Sequence, residues 1–341
     1  LIDWHWTPRQ ACDTSRPPFA HWFPDGQVNL CHNAVDRHLP ERAAQPALVF
    51  VSTETGEEAV YTYSQLHDEV QRMAAIYAEL GVGRGDRVLI YMPMIPQAAF
   101  AMLACVRIGA VHSVVFGGFA SASLAVRISD AQPTLVVSAD AGSRNGKVIP
   151  YKPLLDEALR LYEEKGEKGE KGTHAPQVLM VDRGMAPFNC VAGRDHDYAE
   201  WRARHAEAAV PCVWVESAHP SYTLYTSGTT GKPKGVQRDT GGYAVALAAS
   251  MRHIFDARAG DRFFCTSDIG WVVGHSYIVY GPLLAGMTTV MYEGLPVRPD
   301  AAVWWRLVEK YWVTHMFSAP TAIRVLKKHD PALLRRHDLS S

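Results

Sequence analysis

Between residues 87 and 139 the sequence alternates short apolar runs with longer helical ones, and this leaves few folds open. RVLIYM (87–92), VHSVVF (111–116) and TLVVSA (134–139) have strand length and β-branched character. PQAAFAMLACVRI (96–108), stopped by Gly109, and ASASLAVRISDA (120–131) have helix length. Strands and helices joined by short loops imply right-handed β–α–β crossovers and a parallel sheet. VLMVD (178–182) extends that series. A second series follows residue 240: a helix at 241–254, strand FFCT (263–266), a helix near 275–285, strand TTVMY (288–292), a helix at 300–311, strand THMF (314–317) and a helix at 320–329. The expectation is an α/β fold of two parallel-sheet subdomains that meet just after the strand YTLYT (222–226).

Upstream, LVFVS (48–52) and VYTY (60–63) read as strands. Leu66, Val70, Met73, Tyr77 and Leu80 then fall at 4-3-4-3 spacing, which predicts an amphipathic helix capped by Ser64 and ended by Gly81. Residues 1–45 are rich in Pro, Trp and His and lack periodicity, so they read as an irregular leader. EKGEKGEKG (164–172) cannot bury apolar area and reads as a solvated, flexible insertion spanning 163–173.

The chemistry concentrates in YTSGTTGKPKGV (225–236). Thr226, Ser227, Thr229 and Thr230 can donate hydrogen bonds to phosphate oxygens. Gly228 and Gly231 let backbone N–H groups approach a ligand, and Lys232 adds compact positive charge. The spacing is not that of a Walker loop, which needs four residues between its first glycine and the Gly-Lys pair. The segment follows the strand YTLYT directly, at the junction of the two series, where α/β sheets bind ligands.

This run resembles the phosphate-binding signature of the adenylate-forming superfamily, which includes acyl-CoA synthetases, luciferases and peptide-synthetase adenylation domains. CTSDIGWVVGHSYIVYGPLLAGMTTVMYEG (265–294) is similar to the acyl-binding stretch of short-chain acyl-CoA synthetases. FSAPTAIRVL (317–326) resembles their Ala-Pro-Thr motif, and RPPFAHWFPDGQVNLCHNAVDRHL (16–39) their leader. The resemblance implies that 1–45 is that leader and that 46–341 is an incomplete AMP-binding domain, the N-terminal part of the adenylate-forming fold. It also implies that the C-terminal domain lies outside these residues, along with the adenylation lysine and a magnesium-holding glutamate, so no catalytic residue is assignable here.

The implied reaction is two-step. A short-chain carboxylate attacks the α-phosphate of ATP, and coenzyme A then displaces AMP from the acyl-adenylate. Thr226, Ser227, Gly228, Thr229, Thr230, Gly231 and Lys232 would hold the phosphates of ATP with Mg²⁺. Trp271, Val272 and Val273 would line the acyl pocket. Gly117, Gly118, Arg144 and Lys147 would meet coenzyme A, the two cations facing its 3′-phosphate. His275 invites a general-base role, but a carboxylate nucleophile is already ionised at neutral pH, so a structural histidine is expected. Gln237-Arg238-Asp239 resembles the propionate-activating branch, where acetate-activating members carry Leu-His-Thr. Val273 stands where acetate-specific members have threonine. The alternatives are acetate activation and a non-catalytic nucleotide- or CoA-binding fragment.

Composition agrees. Lys plus Arg total 34 against 35 for Asp plus Glu, which lacks the basic excess of a nucleic-acid-binding protein. No apolar run reaches membrane-spanning length. The six cysteines (12, 31, 105, 190, 212, 265) lack CxxC spacing, and none of the fifteen histidines has metal-ligand spacing with a third ligand nearby. The expectation is a cytoplasmic enzyme with free thiols and no metal held by these residues.

Overall fold

Alternate residues of the central strands face two different cores. Val88, Ile90 and Met92 pack into one apolar cluster, and Leu89 and Tyr91 into another. Leu135 and Val137 divide from Val136 in the same way, and Leu179 and Val181 from Val178 and Met180. That period of two, with apolar residues on both faces, is why these strands read as continuous hydrophobic runs. The computed structural model describes residues 1–166, 175–226 and 233–341.

The large sheet has seven strands in the order Asp195–Asp197, Gln177–Val181, Leu135–Ala139, Arg87–Met92, Val111–Phe116, Pro220–Thr226, Lys234–Asp239. Its first six are parallel and the last is an antiparallel edge. The helices Ser121–Ala131 and Tyr151–Gly166 cover one face through Leu124, Ile128, Leu155 and Leu159. The helix Pro96–Arg107, opened by Pro96 and buried almost all round, covers the other.

The small sheet runs His315–Phe317, Arg262–Cys265, Thr288–Glu293, Pro46–Ser52, Glu58–Thr62. The two expected sheets are present, but the strands of this one do not all come from the later series. The strand Pro46–Ser52 is buried along nearly its whole length and pairs in parallel with Thr288–Glu293, Leu48 opposite Thr289. The early strands therefore belong to the late sheet. One face of that sheet packs Val49, Phe264 and Val290 under Trp304 and Leu307 of the helix Val303–Tyr311. The other face sends Leu48, Phe50 and Phe263 into the same core as the helix Pro96–Arg107. The two sheets thus share their largest core, with a helical layer between them.

Three local expectations change. The helix Tyr63–Glu79 is capped by Thr62 rather than Ser64: the Thr62 hydroxyl accepts from Gln65 N, and the Gln65 side chain accepts from Thr62 N. The helix expected near 275–285 is an α-turn Val272–Gly274, a π-helix His275–Tyr280 and a further turn Gly281–Leu284. The leader is not irregular throughout. It forms the hairpin Cys12–Arg16/Phe19–Trp22 and a helix Leu30–Ala34 whose Leu30, Cys31 and Ala34 lie in the shared core. The helix Tyr151–Gly166 runs into the expected insertion, and the rest of that segment up to residue 174 lies outside the described residues.

Candidate functional site

A cleft with a cavity of about 270 Å³ opens at the carboxyl ends of the central strands. Met92, Pro93 and Met94 follow the strand Arg87–Met92, and Gly117 and Gly118 follow Val111–Phe116. The chain leaves these two neighbouring strands toward opposite faces of the sheet, so their ends part and leave a crevice. Glu54, Tyr292 and Glu293 of the small sheet close the opposite wall.

Arg144 and Lys147 sit on a hairpin, Ala141–Arg144 with Lys147–Pro150, that reaches over this cleft. Asn145 (φ 60°) and Gly146 (φ 73°) make its two-residue turn, the left-handed pair that an Asn-Gly dipeptide supplies at least cost. Arg144 and Lys147 are cross-strand partners, and both are exposed. Two like charges directly opposite repel. Among the described residues neither has an ion-pair partner, so the hairpin presents a doubly cationic tip suited to an anion. Glu54 holds the tip from across the cleft, accepting from Ser143 Oγ (2.6 Å) and Gly146 N (3.0 Å). The Arg144 guanidinium lies 5.6 Å over the Phe116 ring.

The base of the hairpin is braced by buried charge. Asp140 accepts from the backbone N–H groups of Arg183, Met185 and Ala186. Arg183 in turn grips Glu293 with two hydrogen bonds of 2.9 and 2.7 Å, and Ser52 Oγ donates to the same carboxylate at 2.7 Å. Glu293 ends a small-sheet strand and Arg183 follows a large-sheet strand, so this pair joins the two sheets beneath the cleft.

Gly117 has a packing reason: a Cβ there would collide with the hydroxyl of Tyr151, which fills the space. Trp271 is 52 % exposed and packs beside Phe116 at 6.1 Å. Val272 instead lines a second hollow with Tyr222, Arg238, Tyr243 and Ser276, roofed by Trp22 and Phe23 of the leader. Val273 packs against the shared core. The three consecutive residues therefore meet three different surroundings.

His275 is fully buried, stacked on His112 and tilted against Tyr222, with Nδ1 3.2 Å from Trp271 O. Burial pushes its pKa down to about 4, so at neutral pH it is an uncharged member of an aromatic stack.

Thr226 ends the strand Pro220–Thr226, where its hydroxyl meets Lys234 O at 3.5 Å. The register Tyr222 opposite His112 brings Thr226 level with Phe116, beside the cleft. Ser227, Gly228, Thr229, Thr230, Gly231 and Lys232 lie outside the described residues.

Sequence reasoning missed Asp268, Glu54 and Tyr151. Asp268 lies in the cleft wall and accepts from Gly270 N at 2.7 Å. Desolvation raises its pKa to about 6, against that hydrogen bond and the charge of Arg144. Its place inside the 265–294 motif was a usable signal. Glu54 and Tyr151 carried none, because they reach the site only through tertiary contacts.

The fold matches the structure of acetoacetyl-CoA synthetase from Streptomyces lividans with a TM-score of 0.88 at 29% identity, covering 99% of this chain and 50% of that one. The chain belongs to the AMP-binding enzyme family, whose pattern residues 35–341 match. Residues 1–34 match the acetyl-coenzyme A synthetase N-terminus. More narrowly, it is 62% identical over 341 residues to a propionate–CoA ligase of Salmonella typhimurium and 61% identical to one of Escherichia coli, covering 100% of this chain and 53% of each relative. An acetyl-coenzyme A synthetase of Wolinella succinogenes is 45% identical over 341 residues. The chain thus spans about half the length of the curated relatives it matches. No helix among the described residues is long and apolar enough to cross a membrane.

Proposed function

We propose that this chain is the substrate-binding part of an AMP-forming acid–thiol ligase that activates propionate. The carboxylate would take AMP from ATP with release of pyrophosphate, and the thiol of coenzyme A would then displace AMP from propionyl-adenylate. The observation that carries the reading is the 62% identity along the whole chain to a propionate–CoA ligase, against 45% to an acetyl-coenzyme A synthetase. In this reading residues 226–232 hold the ATP phosphates with Mg²⁺, and Trp271, Val272 and Val273 form the acyl wall. Gly117, Gly118, Arg144 and Lys147 receive coenzyme A. The unpaired, facing charges of Arg144 and Lys147 support the last assignment, since a 3′-phosphate dianion would relieve their repulsion. A cytoplasmic location belongs to the same reading.

The test is substrate competition in the protein extended to the length of its relatives. Propionate-dependent ATP–pyrophosphate exchange is expected to exceed that with acetate in kcat/KM. The extra methylene contributes about 1–3 kcal/mol in an apolar pocket. Preference for acetate, or exchange with neither acid, would overturn the assignment. Arg144→Ala should raise KM for coenzyme A and leave KM for its 3′-dephospho analogue unchanged. A mutant that still separates the two thiols as the parent does would remove Arg144 from the site.

A further inference from the structure

At the opposite end of the helix Pro96–Arg107 from the cleft, two thiols share one carboxylate. Cys31, on the leader helix, is fully buried. Cys212 is half-buried, in the segment between the helix Tyr198–Arg204 and the strand Val215–Glu216. Their sulfurs and a carboxylate oxygen of Asp36 all lie within 4.8 Å of one another. Cys31 Sγ is 3.9 Å from Oδ2 and Cys212 Sγ is 3.8 Å from Oδ1.

A cation is the first ligand such a trio suggests, and Arg107 argues against it. Its guanidinium binds both oxygens of Asp36, at 2.9 and 3.0 Å, and reaches Cys31 Sγ at 3.5 Å. A divalent ion between these ligands would have to draw the Asp36 carboxylate away from Arg107 and ionise a Cys31 thiol that burial keeps protonated. A covalent bond between the sulfurs adds no charge. It removes only two weak S–H donors from Asp36, which keeps Arg107 and has His67 Nε2 at 3.5 Å, so no buried charge loses its partner.

We propose that Cys31 and Cys212 form a reversible dithiol–disulfide pair, closed by a hydroperoxide, that fastens the leader to the chain following the helix Tyr198–Arg204. Both segments are already moored to one anchor. Arg107 Nε donates to Val210 O at 2.7 Å, Val213 N donates to Arg107 O at 2.8 Å, and Asn29 Nδ2 donates to Val213 O at 2.8 Å. The sulfurs are therefore held near each other before any bond forms. Cys212, the more accessible thiol, meets the oxidant. Its sulfur attacks hydrogen peroxide, an S–O bond forms as the O–O bond breaks, and the products are a sulfenic acid and one water. The Cys31 sulfur then attacks that sulfur. The S–S bond forms, the S–O bond breaks, and a second water leaves with the Cys31 proton. Two electrons from the two thiols have reduced one peroxide. Burial, with Cys212 and Asp36 alongside, holds the Cys31 thiol well above its ordinary pKa, so Cys31 is protonated and unreactive toward peroxide itself and is left to resolve the sulfenic acid beside it.

The test is peptide mapping of the 341-residue chain after a hydrogen peroxide challenge, with remaining thiols alkylated. The expected result is a linked peptide pair carrying Cys31 and Cys212, two alkylated thiols fewer, and full return on treatment with dithiothreitol. Cys190→Ser, at an exposed thiol, should leave the link intact, and Cys212→Ser should abolish it. The wild-type map decides by itself if Cys212→Ser does not fold. Cys212 recovered as sulfinate beside an unmodified Cys31, or linked to another cysteine, would overturn the proposal. So would equimolar zinc retained through dialysis of the reduced protein, because it would make the trio a metal site.

Discussion

Replacing Glu293 tests how far the two sheets depend on one buried ion pair. The Arg183 and Glu293 side chains are 7% and 5% exposed, and two hydrogen bonds join them. Glu293→Ala leaves the guanidinium buried without its counter-charge, which costs about 3–5 kcal/mol. Ser52 Oγ also loses its acceptor, which adds about 1 kcal/mol. Arg183→Ala strands the carboxylate and should cost about as much. The double replacement Arg183→Met with Glu293→Leu removes both charges and fills the space. It should recover most of the loss and end within about 1 kcal/mol of the parent. Urea unfolding of the four proteins separates the cost of a stranded charge from the cost of losing the pair. Hydrogen exchange adds a local readout: the hairpin Ala141–Pro150 should lose protection in both single mutants and regain it in the double. Single mutants that each cost under about 1 kcal/mol, or a double mutant as unstable as the worse single, would refute the view that this pair clamps the sheets.

Three shorter expectations follow from other parts of the molecule. Thr62→Ala breaks the reciprocal cap of the helix Tyr63–Glu79 and should lower stability by about 1 kcal/mol in urea unfolding, with Ser64→Ala nearly silent. His275 titrates near 4 when folded and near 6.5 when unfolded, so the unfolded chain binds more protons between those values. Its contribution is complete above pH 6.5 and is lost as pH falls toward 4, and His275→Phe should flatten the stability profile in that window. Lys147→Glu turns a facing like-charge pair into an opposite one. It should stabilise the hairpin by about 0.5 kcal/mol in hydrogen exchange while weakening binding of an anionic nucleotide, and a loss of both would contradict the charge argument.

The parts of the fold legible in the sequence were those fixed by local pattern. The strands at 87–92, 111–116 and 135–139 were recognisable because both their faces are buried and Gly109 ends the first intervening helix. Which strands lie side by side was not recognisable. An apolar run at 46–52 shows that a strand is buried and says nothing of its neighbour, which is supplied by residues 288–293. The π-helix at 275–280 was invisible because an apolar run fits a wide coil as well as an α-helix. Other signals were present and went unused. Gln65 stands three residues after Thr62, and Asn145-Gly146 marks a tight hairpin between two strands. At the site, Arg144 and Lys147 were legible as cations, but their opposition across a hairpin and the grip of Glu54 depend on chain segments far apart in sequence.

The pairing of Pro46–Ser52 with Thr288–Glu293 also sets a schedule for the growing chain. The early strand leaves the ribosome with only Glu58–Thr62 to pair with, and its other edge waits for a partner more than two hundred residues away. At about 5–20 residues per second that wait lasts roughly ten to fifty seconds. Throughout it, a strand with two apolar faces has one unpaired edge, which is the geometry that recruits strands from other chains. Slowing synthesis between residues 62 and 288 would lengthen that exposure, so yield of soluble protein becomes a matter of elongation rate and chaperone supply as well as of final stability.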